Sequence, residues 1–299
     1  MIQVENVVKT FDGFRALDGL TMNVKKGSVY GLVGPNGAGK STIIRHLTGI
    51  YRQDSGKVLI DGQSVYENVA IKSKFAYIPD DIFYFTTDNS LDLMKLYKGI
   101  YKNFDEDLFK RLGECFPDIN LKKNVRALSK GMQKQVAFML SIASRPEILI
   151  LDEPVDGLDP VMRRQIWSIV MSDVAEHEAT VLVSSHNLRE LEDVCDHVGI
   201  MNHGKILLEK SLDDLQSDIT KLQIAFEDKP GNYESELDIL KESSSGRVHT
   251  LIVRGDSDTV TAKMKQFNPI FMDVLPLTLE EIFIYELGGE EYAVKDIIL

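Results

Sequence analysis

Apolar and polar residues alternate in two runs at the start of the chain, at 2–11 and 15–24, with Asp12 and Gly13 between them. This predicts antiparallel strands joined by a turn. The segment 29–33 (VYGLV) is a short apolar run of strand type, and at 41–49 the apolar positions Ile43, Ile44 and Leu47 recur at helical spacing. Helical periods dominate from 91 to 146, predicting helices at 91–101, 105–115 and 129–144. Buried-type strands are then expected at 148–151 (ILIL), 180–184 and 197–201, alternating with helices at 160–176 and 187–194. Such alternation argues for a mostly parallel sheet interrupted by a helical insert.

Beyond about residue 211 the composition turns polar and acidic, and the run KESSSGR at 241–247 reads as a loop. Strands are predicted near 222–226, 250–254 and 270–274, and helices near 259–267 and 279–287. The recurring apolar positions favour a small packed α+β unit over a loose tail. The expected division is residues 1–212, with the helical insert at about 86–146, followed by residues 213–299.

A chain of 299 residues accommodates two such domains, and 43% apolar with 27% charged residues is ordinary globular composition. The longest apolar stretches, 136–143 and 148–151, fall far short of the roughly 20 residues that cross a bilayer. The start MIQVENVVKTF lacks a basic region followed by an apolar block, so a cytoplasmic location is expected. Cys115 and Cys195 are far apart and without CxxC partners, which suits reduced thiols. A net charge of −12 with scattered lysines and arginines argues against nucleic acid as a partner.

Between the predicted strand at 29–33 and the helix after it stands GPNGAGKST: Gly34, Pro35, Asn36, Gly37, Ala38, Gly39, Lys40, Ser41 and Thr42. Three glycines let successive backbone NH groups turn inward around a polyphosphate, and the strand, loop, helix context is the one this motif requires. Lys40 is expected to reach the β and γ oxygens and the Ser41 hydroxyl to ligate magnesium. Downstream, Asp152 and Glu153 follow an apolar strand, where open α/β sheets bind ligands. Asp152 is expected to hold magnesium through water, and Glu153 to take a proton from, or orient, the water attacking the γ-phosphate.

LSKGMQ at 128–133, LDEP at 151–154, GLD at 157–159 and SSH at 184–186 follow the phosphate loop in a fixed order. With these motifs the chain resembles the ATPase subunit of an ATP-binding cassette (ABC) transporter over about residues 2–210. The resemblance implies an α/β P-loop NTPase fold of the ABC type, with antiparallel and helical subdomains. It implies ATP hydrolysis with Mg2+, a separately encoded membrane permease, and a head-to-tail pair of cassettes. In that pair Ser129 and Gly131, at a helix N-terminus, would clasp the γ-phosphate held by the partner. His186 would sense the same phosphate, and Phe11 would stack on adenine.

Two departures from the family pattern stand out. Asp80, in YIPDD, replaces the glutamine that contacts magnesium and senses the permease; it can still offer oxygen to the metal. Lys130 and Met132 replace a glycine and a glutamine. The aromatic run Ile82 to Phe85 either anchors a permease helix or fills the insert's own core. SLDDL, the short C-terminal domain and LTLEEIFI resemble the exporter branch serving drugs, lipids, peptides or polysaccharides. The rival readings are a non-transport cassette and a low-turnover regulatory nucleotide-binding module. The first is opposed by the single phosphate loop, the acidic charge and the absence of a sustained heptad run.

Overall fold

The computed structural model describes residues 1–82, 88–227 and 233–286. Strands β1 (Ile2–Phe11) and β2 (Phe14–Val24) form the expected hairpin, with Phe11 opposite Phe14 across the turn. β1 also pairs antiparallel with β4 (Ser55–Ile60), and β4 with β5 (Gln63–Ser64), which gives a sheet ordered β2-β1-β4-β5. Between them in sequence lie β3 (Val29–Val33) and helix α1 (Lys40–Leu47). A short α2 (Val69–Lys72) leads into β6 (Phe75–Ile78).

The helical insert contains α3 (Ser90–Ile100), α4 (Glu106–Cys115) and α5 (Lys130–Ala143). Each starts on a side-chain cap: Asn89, Asp105 and Ser129 accept from backbone NH groups of the first turn, satisfying donors that the helix itself cannot. Next come β7 (Ile148–Asp152), α6 (Pro160–His177), β8 (Thr180–Ser185), β9 (His197–Asn202) and β10 (Lys205–Ser211). These strands join β3 and β6 in a six-stranded sheet ordered β10-β9-β3-β8-β7-β6. The pairs β3–β9, β3–β8, β8–β7 and β7–β6 are parallel.

β3, β7 and β8 are buried at every position, which is why 29–33, 148–151 and 181–183 read as apolar runs rather than alternating ones. Leu32, Ile43, Ile44, Leu47, Ile148, Ile150 and Leu182 share one core with the inner face of the antiparallel sheet. A fully buried leucine or isoleucine contributes about 1.5–3 kcal/mol, so this core fixes the strand ends that carry the site.

The chain divides into two compact units, residues 1–187 with 194–209, and residues 188–193 with 210–299. The second unit holds α7 (Leu212–Ser217), β11 (Ile219–Ala225), β12 (Ile239–Ser245), β13 (Val248–Arg254), α8 (Ser257–Lys265), β14 (Phe271–Leu275) and α9 (Leu279–Glu286). Its antiparallel sheet is ordered β12-β13-β11-β14, over a core that includes Leu222, Ile224, Leu251, Val253 and Met264.

Two expectations are corrected. Most of KESSSGR is not a loop but the edge strand β12, whose partly or fully exposed positions tolerate polar residues; the turn to β13 is confined to Gly246 and Arg247. The helix expected at 187–194 is a single 3-10 turn at Leu188–Glu190 followed by irregular turns. Ile82 is described, but the rest of the aromatic run, Phe83 to Phe85, lies outside the described residues, as does Leu287.

Candidate active site

β3, β8 and β7 are adjacent and parallel, so the loops leaving their carboxyl ends open on the same edge of the sheet. The first loop is Gly34 to Gly39. A β-carbon at Gly34 would stand 2.2 Å from the Met201 carbonyl oxygen, and one at Gly39 would stand 2.6 Å from the Met201 side chain and 2.8 Å from the Ala16 carbonyl oxygen. Gly39 has φ +108° and makes no side-chain cap, leaving the first-turn NH groups of α1 without one. Asn36 and Gly37 are exposed, Pro35 and Thr42 half-buried, and Ala38 buried. The arrangement is a ready anion cradle at a helix N-terminus.

Lys40 bends back over this loop, its Nζ donating to the Gly34 carbonyl at 2.6 Å and the Pro35 carbonyl at 3.3 Å. It also lies 3.4 Å from Glu153 Oε1. The Ser41 hydroxyl donates to Asp152 Oδ1 at 3.2 Å, which joins the first loop to the end of β7.

Asp152 is 2% exposed, and a carboxylate so deeply buried costs several kcal/mol unless partnered. Its partners are hydroxyls: Ser41, and Ser184, which donates to Oδ1 at 2.6 Å. Among the described residues no cationic side chain pairs with it. A hydroxyl beside an acidic oxygen is the hard-oxygen donor set that suits Mg2+, an ion commonly held by one or two protein oxygens together with substrate phosphates.

Glu153 follows at φ +47°, a left-handed conformation costing a residue with a side chain on the order of 1–3 kcal/mol. Its surroundings hold it there. Its NH donates to the Ser184 hydroxyl at 3.1 Å, and its carbonyl accepts from Lys134 Nζ at 2.9 Å. Its Oε2 receives the backbone NH of His186 at 3.3 Å and lies 2.9 Å from His186 Nδ1. A carboxylate only accepts, so Nδ1 carries the proton in this contact.

Lys40, Ser41, Asp152, Glu153 and His186 are therefore brought into one site from the first turn of α1 and the carboxyl ends of β7 and β8. Two contributors were not singled out from the sequence. Ser184 is fully buried and bridges Asp152 to Glu153; its signal was its place in the SSH motif at 184–186, from which only His186 was given a role. Lys134 looked like one more lysine in a helix.

The remaining expected residues lie apart from this cluster. Ser129 caps α5, accepting from the Met132 NH at 3.3 Å, and it is exposed beside Gly131. Among the described residues no hydrogen bond joins either of them to the phosphate loop. Phe11 is 37% exposed, with its ring 5.3 Å from that of Tyr51 and Lys9 Nζ 5.4 Å above it. The partner of Asp80 is Lys134, at 3.7 Å. Burial raises the Asp80 pKa above the usual carboxylate value, Lys134 opposes the rise, and the nearby charges of Asp81 and Asp152 reinforce it.

Comparison with known proteins agrees with this geometry. Residues 17–156 match the ABC transporter family. The ABC transporter ATP-binding protein YtrB of Bacillus subtilis (strain 168) is 30% identical over 290 residues, spanning 97% of this chain and 99% of its own length. The chain belongs to the ABC transporter family. Within it, the lantibiotic transport ATP-binding protein SrtF of Streptococcus pyogenes is 32% identical over 76% of this chain and 99% of its own length. A solved ATP-binding subunit of an ABC transporter superposes with a TM-score of 0.66 at 27% identity, covering 72% of this chain and 92% of that one. As an ABC cassette, the protein is the ATP-binding and ATP-hydrolysing subunit of a transporter, working with a separate permease. No described helix is long and apolar enough to cross a membrane.

Proposed function

We propose that this cassette powers export through its permease, with the site at the ends of β3, β7 and β8 performing the hydrolysis. The observation that carries the catalytic reading is Glu153 bracketed between Lys40 on one carboxylate oxygen and His186 on the other. Gly34 to Gly39 and the α1 N-terminus bind the phosphates of ATP. Lys40 leaves its carbonyl partners for the β and γ oxygens, and Phe11 offers its exposed ring to adenine. Ser41 and Asp152 hold Mg2+, which neutralises phosphate charge when bound. Glu153 accepts a proton from the attacking water, and His186 keeps that carboxylate in line and meets the γ-phosphate.

Ser129 is exposed and Gly131 half-buried at a helix N-terminus, and among the described residues neither is hydrogen-bonded to the chain's own phosphate loop. This supports their completing the site of a second cassette in a head-to-tail pair. The protein then sits on the cytoplasmic face of the membrane through its permease. Export is supported by relatives whose names give transport of a lantibiotic, transport of bacitracin and resistance to daunorubicin and doxorubicin. The deciding experiment reconstitutes the chain with its co-purifying permease in vesicles: ATP-dependent movement of a peptide antibiotic away from the nucleotide side is expected, and movement toward that side refutes export.

A further inference from the structure

Lys134 carries its charge where a charge is costly. It lies one turn into α5 with 7% of its surface exposed, and the next residues of the helix are buried. Its ammonium faces three acceptors, the Glu153 carbonyl at 2.9 Å, the Asp156 carbonyl at 3.1 Å and Asp80 Oδ1 at 3.7 Å. An ammonium has three N–H groups, so each acceptor has one donor available to it. Two of these acceptors belong to the turn leaving β7, and the third to the turn leaving β6.

The Glu153 carbonyl is the important one. Glu153 is held in the left-handed region at φ +47°, and its backbone is fixed on the NH side by Ser184 and on the carbonyl side by Lys134. A rotation there swings the carboxylate away from Lys40 and His186. Burial of a lysine for packing alone would not require its charge, whereas here two of its donors are hydrogen-bonded to carbonyls and its charge faces Asp80 at 3.7 Å.

We propose that Lys134 is a positioning residue for ATP hydrolysis. It ties the helix headed by Ser129 to the backbone of Glu153 and Asp156, so that the Glu153 carboxylate points at the reacting water, and Asp80 is its counter-charge. The proposal rests on the reading of Glu153 as the water-activating group. The phosphate loop takes its own hydrogen bonds from Lys40 and the α1 backbone, so nucleotide binding is spared when Lys134 is lost.

The test uses the full-length chain, single-turnover ATP hydrolysis and equilibrium binding of a fluorescent ATP analogue. Lys134→Met is expected to slow hydrolysis about tenfold or more while changing nucleotide affinity less than about threefold. Lys134→Arg keeps charge and donors, and a neighbouring cavity of about 250 Å³ gives the guanidinium room, so it restores at least half of the lost rate on a logarithmic scale. In a Glu153→Gln background, Lys134→Met is expected to change the residual rate less than about twofold, because its effect passes through Glu153.

A loss below tenfold, a parallel loss of affinity without rescue by arginine, or the same factor in the Glu153→Gln background each overturns the proposal. Should Lys134→Met not fold, Asp80→Asn combined with Lys134→Met leaves no unpaired charge and is read against Asp80→Asn alone by the same thresholds. Glu153→Gln by itself separates the two readings. If it keeps the parent rate, the assignment of Glu153 fails; if it is slow and Lys134→Met is fast, only the role of Lys134 fails.

Discussion

His186 Nδ1 and Glu153 Oε2 lie 2.9 Å apart, one after the end of β8 and the other after the end of β7, strands that run side by side in parallel. The other Glu153 oxygen faces Lys40 at 3.4 Å, so the carboxylate is oriented at both atoms before any substrate arrives. For the proposed base, preorganisation of this kind avoids reorganisation during the reaction. It also makes the site sensitive to changes in charge more than in shape.

Glu153→Gln keeps the shape and removes the carboxylate proposed as the base. Turnover is expected to fall by about 10²–10⁴-fold while ATP still binds, because substrate contacts survive and water activation does not. The trapped state should be the ATP-bound pair of cassettes. Sedimentation at saturating ATP checks it, and a monomer there contradicts both the catalytic and the pairing assignments.

Ser184→Ala removes a buried hydroxyl that serves Asp152 and Glu153 together. The loss of a donor to a buried carboxylate is expected to cost about 1–3 kcal/mol of stability, measured by urea unfolding. Turnover should fall more than apparent ATP affinity, since the Lys40 loop is untouched. Equal loss in both quantities would mean that Ser184 serves only the fold.

At Gly39 the left-handed backbone at φ +108° and the 2.8 Å approach of the Ala16 carbonyl leave no room for a methyl group. Gly39→Ala is expected to displace the turn that aims the α1 NH groups and to weaken ATP binding about tenfold or more. Titration calorimetry measures this directly. Lys40→Ala should weaken binding mainly by loss of charge while keeping the glycine backbone at position 39, so the two variants separate geometry from electrostatics by their salt dependence.

The parts of this molecule legible in the sequence are those where chemistry and local pattern coincide. The phosphate loop is contiguous, and Asp152 and Glu153 directly follow an apolar run, so strand order needed only to bring their ends together. β12 was hidden because an edge strand of serines and charged residues has no apolar alternation. The turns at 188–194 looked helical because Leu188, Leu191 and Val194 recur at helical spacing, yet they form only a short 3-10 turn. Ser184 and Lys134 act through partners 19 to 32 residues away, and no local period encodes such a contact.

His46 supplies a pH dependence with a definite sign. It is 1% exposed and meets the Tyr51 ring edge-on, with Nδ1 2.7 Å from the Thr42 carbonyl oxygen. Burial is the largest influence and lowers its pKa below 6.5, the Thr42 carbonyl raises it in part, and the charges of Lys9 and Asp54 act in opposite directions. The unfolded chain therefore takes up a proton near 6.5 that the folded chain resists. Stability from this residue is complete above 6.5 and declines as pH falls from there through the lower folded value. His46→Gln removes the titration, so the stability difference between parent and variant should shrink on going from about pH 7.5 to about pH 5.5, while carboxylate effects cancel in the comparison. Urea unfolding of both proteins across that range checks it, and parallel curves would mean that the imidazole titrates alike in the folded and unfolded chain.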